Sequence, residues 1–142
     1  MRSPALRLIA ATAFIVLSAS TANAARAAST AADTPLPRLL SQTGLYLPGS
    51  TDVSPGIVAF SPQYPLWSDG TRKRRWIQLP AGNTIDATRV DAWEFPVGTK
   101  LWKEFGYSRR IETRTIERMA DGSWRYATYV WRADGSDAVL AP

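Results

Sequence analysis

Four consecutive cations, Arg72, Lys73, Arg74 and Arg75, follow closely on Asp69 and form the densest run of charge in the chain. Such a run could hold an acidic ligand or meet an anionic surface. The plainer reading is a solvated turn and strand start, in which alternation sends only two of the four side chains to any one face. Carboxylates at Asp69, Asp86, Asp91, Glu94 and Glu112 could supply oxygen ligands to calcium or an acid/base pair. Their spacing matches no EF-hand loop, so turn chemistry at Asp69-Gly70 and ion pairing at Glu112 account for them better. Six tryptophans, Trp67, Trp76, Trp93, Trp102, Trp124 and Trp131, are many for 142 residues. Exposed indoles on a sheet stack sugar rings or flat apolar ligands, whereas buried ones fill the core of a small β domain. About four of the six are expected in the core, and Trp102, which alternates with Lys100 and Glu104, is the one most suited to a polar face.

What is missing narrows the chemistry further. The chain has no cysteine and no histidine. That excludes disulfides, thiol nucleophiles, zinc sites built on Cys or His, histidine general bases and covalent c-type haem attachment within this sequence. Without histidine no Ser or Thr joins a triad, and nothing marks out a Ser-Lys pair, so autonomous catalysis is not expected.

The elements that must position these residues begin after an address. Arg2 and Arg7 precede an uncharged apolar stretch at residues 8–17, and Ala22-Asn23-Ala24 fits the small-x-small site of signal peptidase. The apolar stretch is too short for a stable membrane span, which needs roughly 20 residues. Cleavage after Ala24 leaves 118 residues and lowers the charge from +5 to +3, with 15 basic residues against 12 acidic. The expectation is an exported, periplasmic or secreted protein with no nucleic-acid partner, since so small a charge does not suggest one. Residues 25–38, rich in Ala, Ser and Thr, read as a flexible leader, and residues 39–142 as a single domain.

Within that domain the period is two. Strands are expected at 57–60, 74–79, 99–107, 110–119 and 124–132, each enriched in β-branched and aromatic residues and bounded by Gly, Pro or Asp. The last is apolar on both faces and is expected to be central. Ala120-Asp121-Gly122-Ser123 recurs as Ala133-Asp134-Gly135-Ser136, and Asp-Gly between strands signals a hairpin whose two central residues take positive φ. No long window shows helical periodicity. The expected fold is all-β, an antiparallel β-sandwich or open barrel.

Three stretches carry a resemblance: Tyr64-Pro65-Leu66-Trp67-Ser68-Asp69-Gly70 with Lys73-Arg74-Arg75-Trp76-Ile77; Trp93-Glu94-Phe95-Pro96-Val97-Gly98-Thr99; and Ile111-Glu112-Thr113-Arg114 with Tyr129-Val130-Trp131. In this order they resemble the N-terminal β domain of secreted bacterial proteins of a diheme c-type cytochrome family. The resemblance implies that Cys-x-x-Cys-His haem attachment belongs to a C-terminal part beyond Pro142, and that this chain is either a fragment of such a protein or its β domain encoded alone. Haem c is therefore expected only in that further part, and no cofactor or metal in this chain. The function so implied is a non-catalytic module that supports electron transfer by docking a periplasmic c-type cytochrome or haem domain. The alternative is a module that binds carbohydrate or another small ligand on exposed tryptophans. Trp67, Asp69, Arg72, Arg74, Trp102 and Glu112 are the candidate ligand or partner surface.

Overall fold

A computed structural model describes residues 34–142. The signal peptide expected at 1–24, and the part of the leader before Thr34, lie outside the described residues. Six strands form one antiparallel sheet in which each pairs with the next in the chain: β1 (Val58–Ala59), β2 (Arg72–Gln78), β3 (Lys100–Gly106), β4 (Arg110–Arg118), β5 (Trp124–Trp131) and β6 (Ala138–Leu140). The fold is thus all-β and antiparallel. The strand expected to be central, β5, pairs with β4 along its length and with β6 through the three positions 129–131.

Turn residues set this meander. Asp69 and Gly70 both take positive φ, at 44° and 72°, and Thr71 donates its N–H to the Ser68 carbonyl at 2.8 Å just before β2. The other two Asp-Gly turns differ from the expected geometry. Only Gly122 and Gly135 take positive φ there. In the β4–β5 turn Gly122 donates to the Met119 carbonyl and Met119 to the Ser123 carbonyl, a type I turn closed by a glycine bulge. The aspartate explains the change. Asp121 and Asp134 accept from the backbone N–H and hydroxyl of Ser123 and Ser136 at 2.7–3.0 Å, and neither aspartate takes positive φ.

Alternation divides the sheet into two faces. One carries Trp76, Trp102, Thr113, Tyr129, Trp131 and Ala138, all buried. Trp76 and Trp102 are direct cross-strand partners. A one-turn 3-10 helix, Leu40–Thr43, and the residues after it lie over this face and add Leu40, Leu45 and Tyr46 to the core. Both central indoles find acceptors: Trp102 Nε1 donates to Thr43 Oγ1 at 3.1 Å and Trp131 Nε1 to Thr113 Oγ1 at 3.0 Å. The cover begins inside the stretch read as leader. Arg125 donates to the Thr34 carbonyl at 2.7 Å, the Tyr129 hydroxyl to the Pro37 carbonyl at 3.0 Å, and the Leu140 N–H to the Arg38 carbonyl at 2.9 Å.

Trp102 corrects the sequence reading. It is 2% exposed, in the middle of the core, and Glu104 beside it on the same face is 5% exposed. The polar alternation misleads because Glu104 is a buried carboxylate with partners of its own, described below.

The opposite face carries Ile77, Leu101, Phe105 and Ile116 half-buried, with Tyr126 and Val130 exposed. Between β2 and β3, Asp86 and Glu94 pair through their backbones at 3.0 and 2.9 Å. Phe95 then meets Trp124 edge-on at 5.7 Å, near one end of this face. Beyond that contact, no segment among the described residues covers it.

Candidate functional site

The six candidate residues do not converge on one site. Trp67 is 81% exposed in the loop between β1 and β2, together with Tyr64 and Leu66 at 82% and 83%. Asp69 shapes the turn that closes this loop. Arg72 and Arg74 lie on the core-side face of β2, near the end that the N-terminal segment leaves open. Trp102 is core. Glu112 lies on the opposite, uncovered face, where it accepts from Arg114 at 2.7 Å. Ion pairing is thus its role, as its sequence suggested. Among the described residues no three or more acidic side chains are grouped to hold a metal ion.

Two other groupings emerge. The first is the uncovered face. Lys73, Arg75, Lys103 and Arg114 project from three adjacent strands, with registry Lys73 opposite Phe105 and Arg75 opposite Lys103 opposite Arg114. The Lys103 ammonium and the Arg114 guanidinium each lie over the Phe105 ring, at 4.7 and 4.8 Å from its centroid. Partial burial pushes the Lys103 ammonium below the usual lysine range, and the neighbouring charges of Arg75, Lys73 and Arg114 push it further. Glu112 is the one carboxylate of the strands on this face. A shallow groove of about 470 Å³ runs between the cations, lined by Phe60, Leu101, Ile116 and Tyr126. The exposed loop is tied to its rim, because the Lys73 ammonium donates to the Leu66 carbonyl.

The second grouping is a recess at the open end of the core face, where Arg72 and Arg74 meet Arg109, Arg110 and Arg132. Its floor is a polar triad of which Glu104 and Tyr46 are buried and Arg74 is about half exposed. Glu104 accepts from Arg74 Nε and Nη2 at 2.9 and 2.7 Å and from the Tyr46 hydroxyl at 3.1 Å. Burial, chiefly, and then the Glu104 charge push the Tyr46 phenol up to about 12.

The sequence reading missed Lys103, Arg114 and Tyr126 on the first surface and Arg109, Arg110 and Arg132 in the second. For the first, a signal existed: positions 73 and 75, 103 and 105, and 112 and 114 each share a face by alternation. Strand registry was needed to bring them side by side. For the second, no local signal existed, because a bulge decides the orientation of Arg110.

Compared with protein-family models, with curated proteins and with solved structures, the chain matches none.

Proposed function

We propose that the chain is a non-catalytic, exported β module that docks a partner protein through the uncovered sheet face. The observation that carries this reading is the concentration of Lys73, Arg75, Lys103 and Arg114 around apolar side chains on a face left open among the described residues. Cations crowded together repel one another, and an acidic partner relieves that repulsion while it covers the apolar groove. Tyr64, Leu66 and Trp67 at the rim supply the large apolar anchors that dominate binding energy in protein interfaces. The partner is therefore a protein whose contact surface is apolar at its centre and acidic around it. The motif resemblance makes a c-type cytochrome or haem domain the partner to try first, with the haem held by that partner and not by this chain.

The test is binding of two purified c-type cytochromes, one acidic and one basic, to the protein at low salt and at about 0.5 M. Docking predicts salt-sensitive binding of the acidic one, weakened about tenfold or more by the Lys103→Glu, Arg114→Glu double variant. Equal affinity for both cytochromes, or a variant that binds like the parent, ends the proposal.

The exposure of Trp67 favours a second reading, stacking of a sugar ring on this indole. It predicts that oligosaccharides quench or shift tryptophan emission and that Trp67→Ala abolishes the response. Indifference to a broad glycan panel removes it.

A further inference from the structure

The arginine recess lies on the opposite side of the sheet from the proposed docking face, and docking leaves it unexplained. Five arginines, Arg72, Arg74, Arg109, Arg110 and Arg132, line a hollow of about 480 Å³ together with two acidic residues, Glu104 and Asp134. Three positive charges are therefore uncompensated. The volume falls in the range of small-ligand sites, roughly 300–1,000 Å³.

Three of the arginines are already fixed in place. Arg72 donates through Nε to the Tyr107 carbonyl at 3.0 Å, and its Nη2 reaches the same oxygen. Arg74 is held by Glu104 and lies 5.1 Å from the centroid of the Trp76 ring. Arg110 stacks on Trp131 at 3.8 Å and donates to the Gly135 carbonyl at 3.1 Å. A guanidinium carries five N–H donors, so each of the three keeps donors to spare. Held in this way, they lose little side-chain freedom when a ligand binds. Arg109 and Arg132 are exposed, and neither side chain makes a hydrogen bond or salt bridge among the described residues. Their N–H donors remain available to a ligand, although the Arg132 charge also acts on Asp134.

We infer that this recess is a binding site for a small polyanion, a molecule carrying two or more carboxylate or phosphate groups. Guanidiniums recognise both groups through paired, charge-assisted N–H···O bonds. The charge is gathered in a hollow and not drawn out as a track, which suits a compact ligand better than a polymer. Glu104 sets the polarity of the site. By occupying Arg74 at the floor, it leaves the uncompensated charge on Arg72, Arg109, Arg110 and Arg132 around the upper wall.

The experiment titrates the protein with citrate and with pyrophosphate by calorimetry, and follows backbone amide shifts by NMR in parallel. The expected result is saturable binding of at least one probe at about 1 mM or tighter, with shifts at Ser108, Arg109, Ala133 and Gly135. Affinity should fall at least tenfold in the Arg109→Ala, Arg132→Ala double variant and stay unchanged in Lys103→Glu, Arg114→Glu. Whichever probe binds more tightly identifies the preferred group. The amide shifts of the parent protein test the site even if the double variant folds poorly. Failure of both probes to saturate overturns the inference, as does unaltered binding in a folded Arg109→Ala, Arg132→Ala variant or shifts confined to the opposite face. Because the docking variant serves as the control, loss of either proposal leaves the other standing.

Discussion

At the scale of single residues, the informative group is Tyr46, Glu104 and Arg74. A carboxylate on the core face of a sheet is costly unless it is paired and hydrogen-bonded. Glu104 satisfies both conditions, and the partner guanidinium is about half exposed, so water shares the solvation of the pair. Glu104→Ala removes the acceptor of the buried Tyr46 hydroxyl as well as the partner of Arg74. It is expected to cost about 2–3 kcal/mol in urea denaturation. The phenol adds a pH signature. With its pKa at about 12 in the fold against 10.0 in an unperturbed phenol, the folded chain keeps a proton that the unfolded chain loses first. Below pH 10 both states are protonated and the contribution is complete; between about 10 and 12 stability falls as pH rises, by about 2–3 kcal/mol in all. Tyr46→Phe should flatten that part of the curve, and a slope unchanged in the variant would assign it to other groups.

At the scale of elements, the β3–β4 hairpin determines what the recess can be. Phe105 faces Glu112, but Gly106 faces Arg110, so Ile111 is an extra residue on β4 and the strand bulges there. By strict alternation Arg110 would share a face with Glu112 and Arg114. The bulge turns it to the core side, where it stacks on Trp131 and joins the recess. Gly106 is required by the same geometry. A Cβ at that position would stand 2.6 Å from the Arg109 carbonyl oxygen, closer than real Cβ atoms come. Gly106→Ala is therefore expected to destabilise by about 2–3 kcal/mol and to weaken polyanion binding along with stability. At Gly122 there is room for a methyl group but φ is +83°, so Gly122→Ala should cost only about 1–2 kcal/mol. Thermal midpoints of the two variants, compared side by side, check this order.

At the scale of the molecule, one sheet separates two surfaces of different chemistry. The N-terminal segment covers one face with Leu40, Leu45 and Tyr46, leaving the recess at its open end. Leu45 is fully buried in the core cluster that includes Trp76, Trp102 and Trp131. Leu45→Ala should thus cost about 2–4 kcal/mol, seen as a lower urea midpoint, although Leu45 lies outside the strands altogether. Among the described residues the other face is left open, and it is cationic. Because the two functional proposals use opposite faces, the double variants of each should act independently, with affinity changes for cytochrome and for polyanion that do not cross over.

Much of the fold was legible locally. Strand positions follow from the period-two pattern and the Gly, Pro and Asp residues between runs, and five of the six strands fall within a residue or two of their expected bounds. The Asp69-Gly70 turn and the pairing of Glu112 are likewise local matters. Which face is covered was not legible. Alternation states which residues share a face, but both faces of β2 and β3 mix charge with large apolar side chains, so the pattern does not choose between them. The choice is made by residues far apart in sequence: Leu40 and Leu45 join Trp76 and Trp102 in one core, and Tyr46 and Arg74 meet on Glu104. The same holds for the two groupings of cations. Strand registry places Lys103 between Arg75 and Arg114, and a single inserted residue turns Arg110 to the other side of the sheet. Strands and reversals are written in the order of the residues, because they depend on neighbours in the chain; which charges meet is settled only on folding, because that depends on registry, a bulge and a cover drawn from another part of the chain.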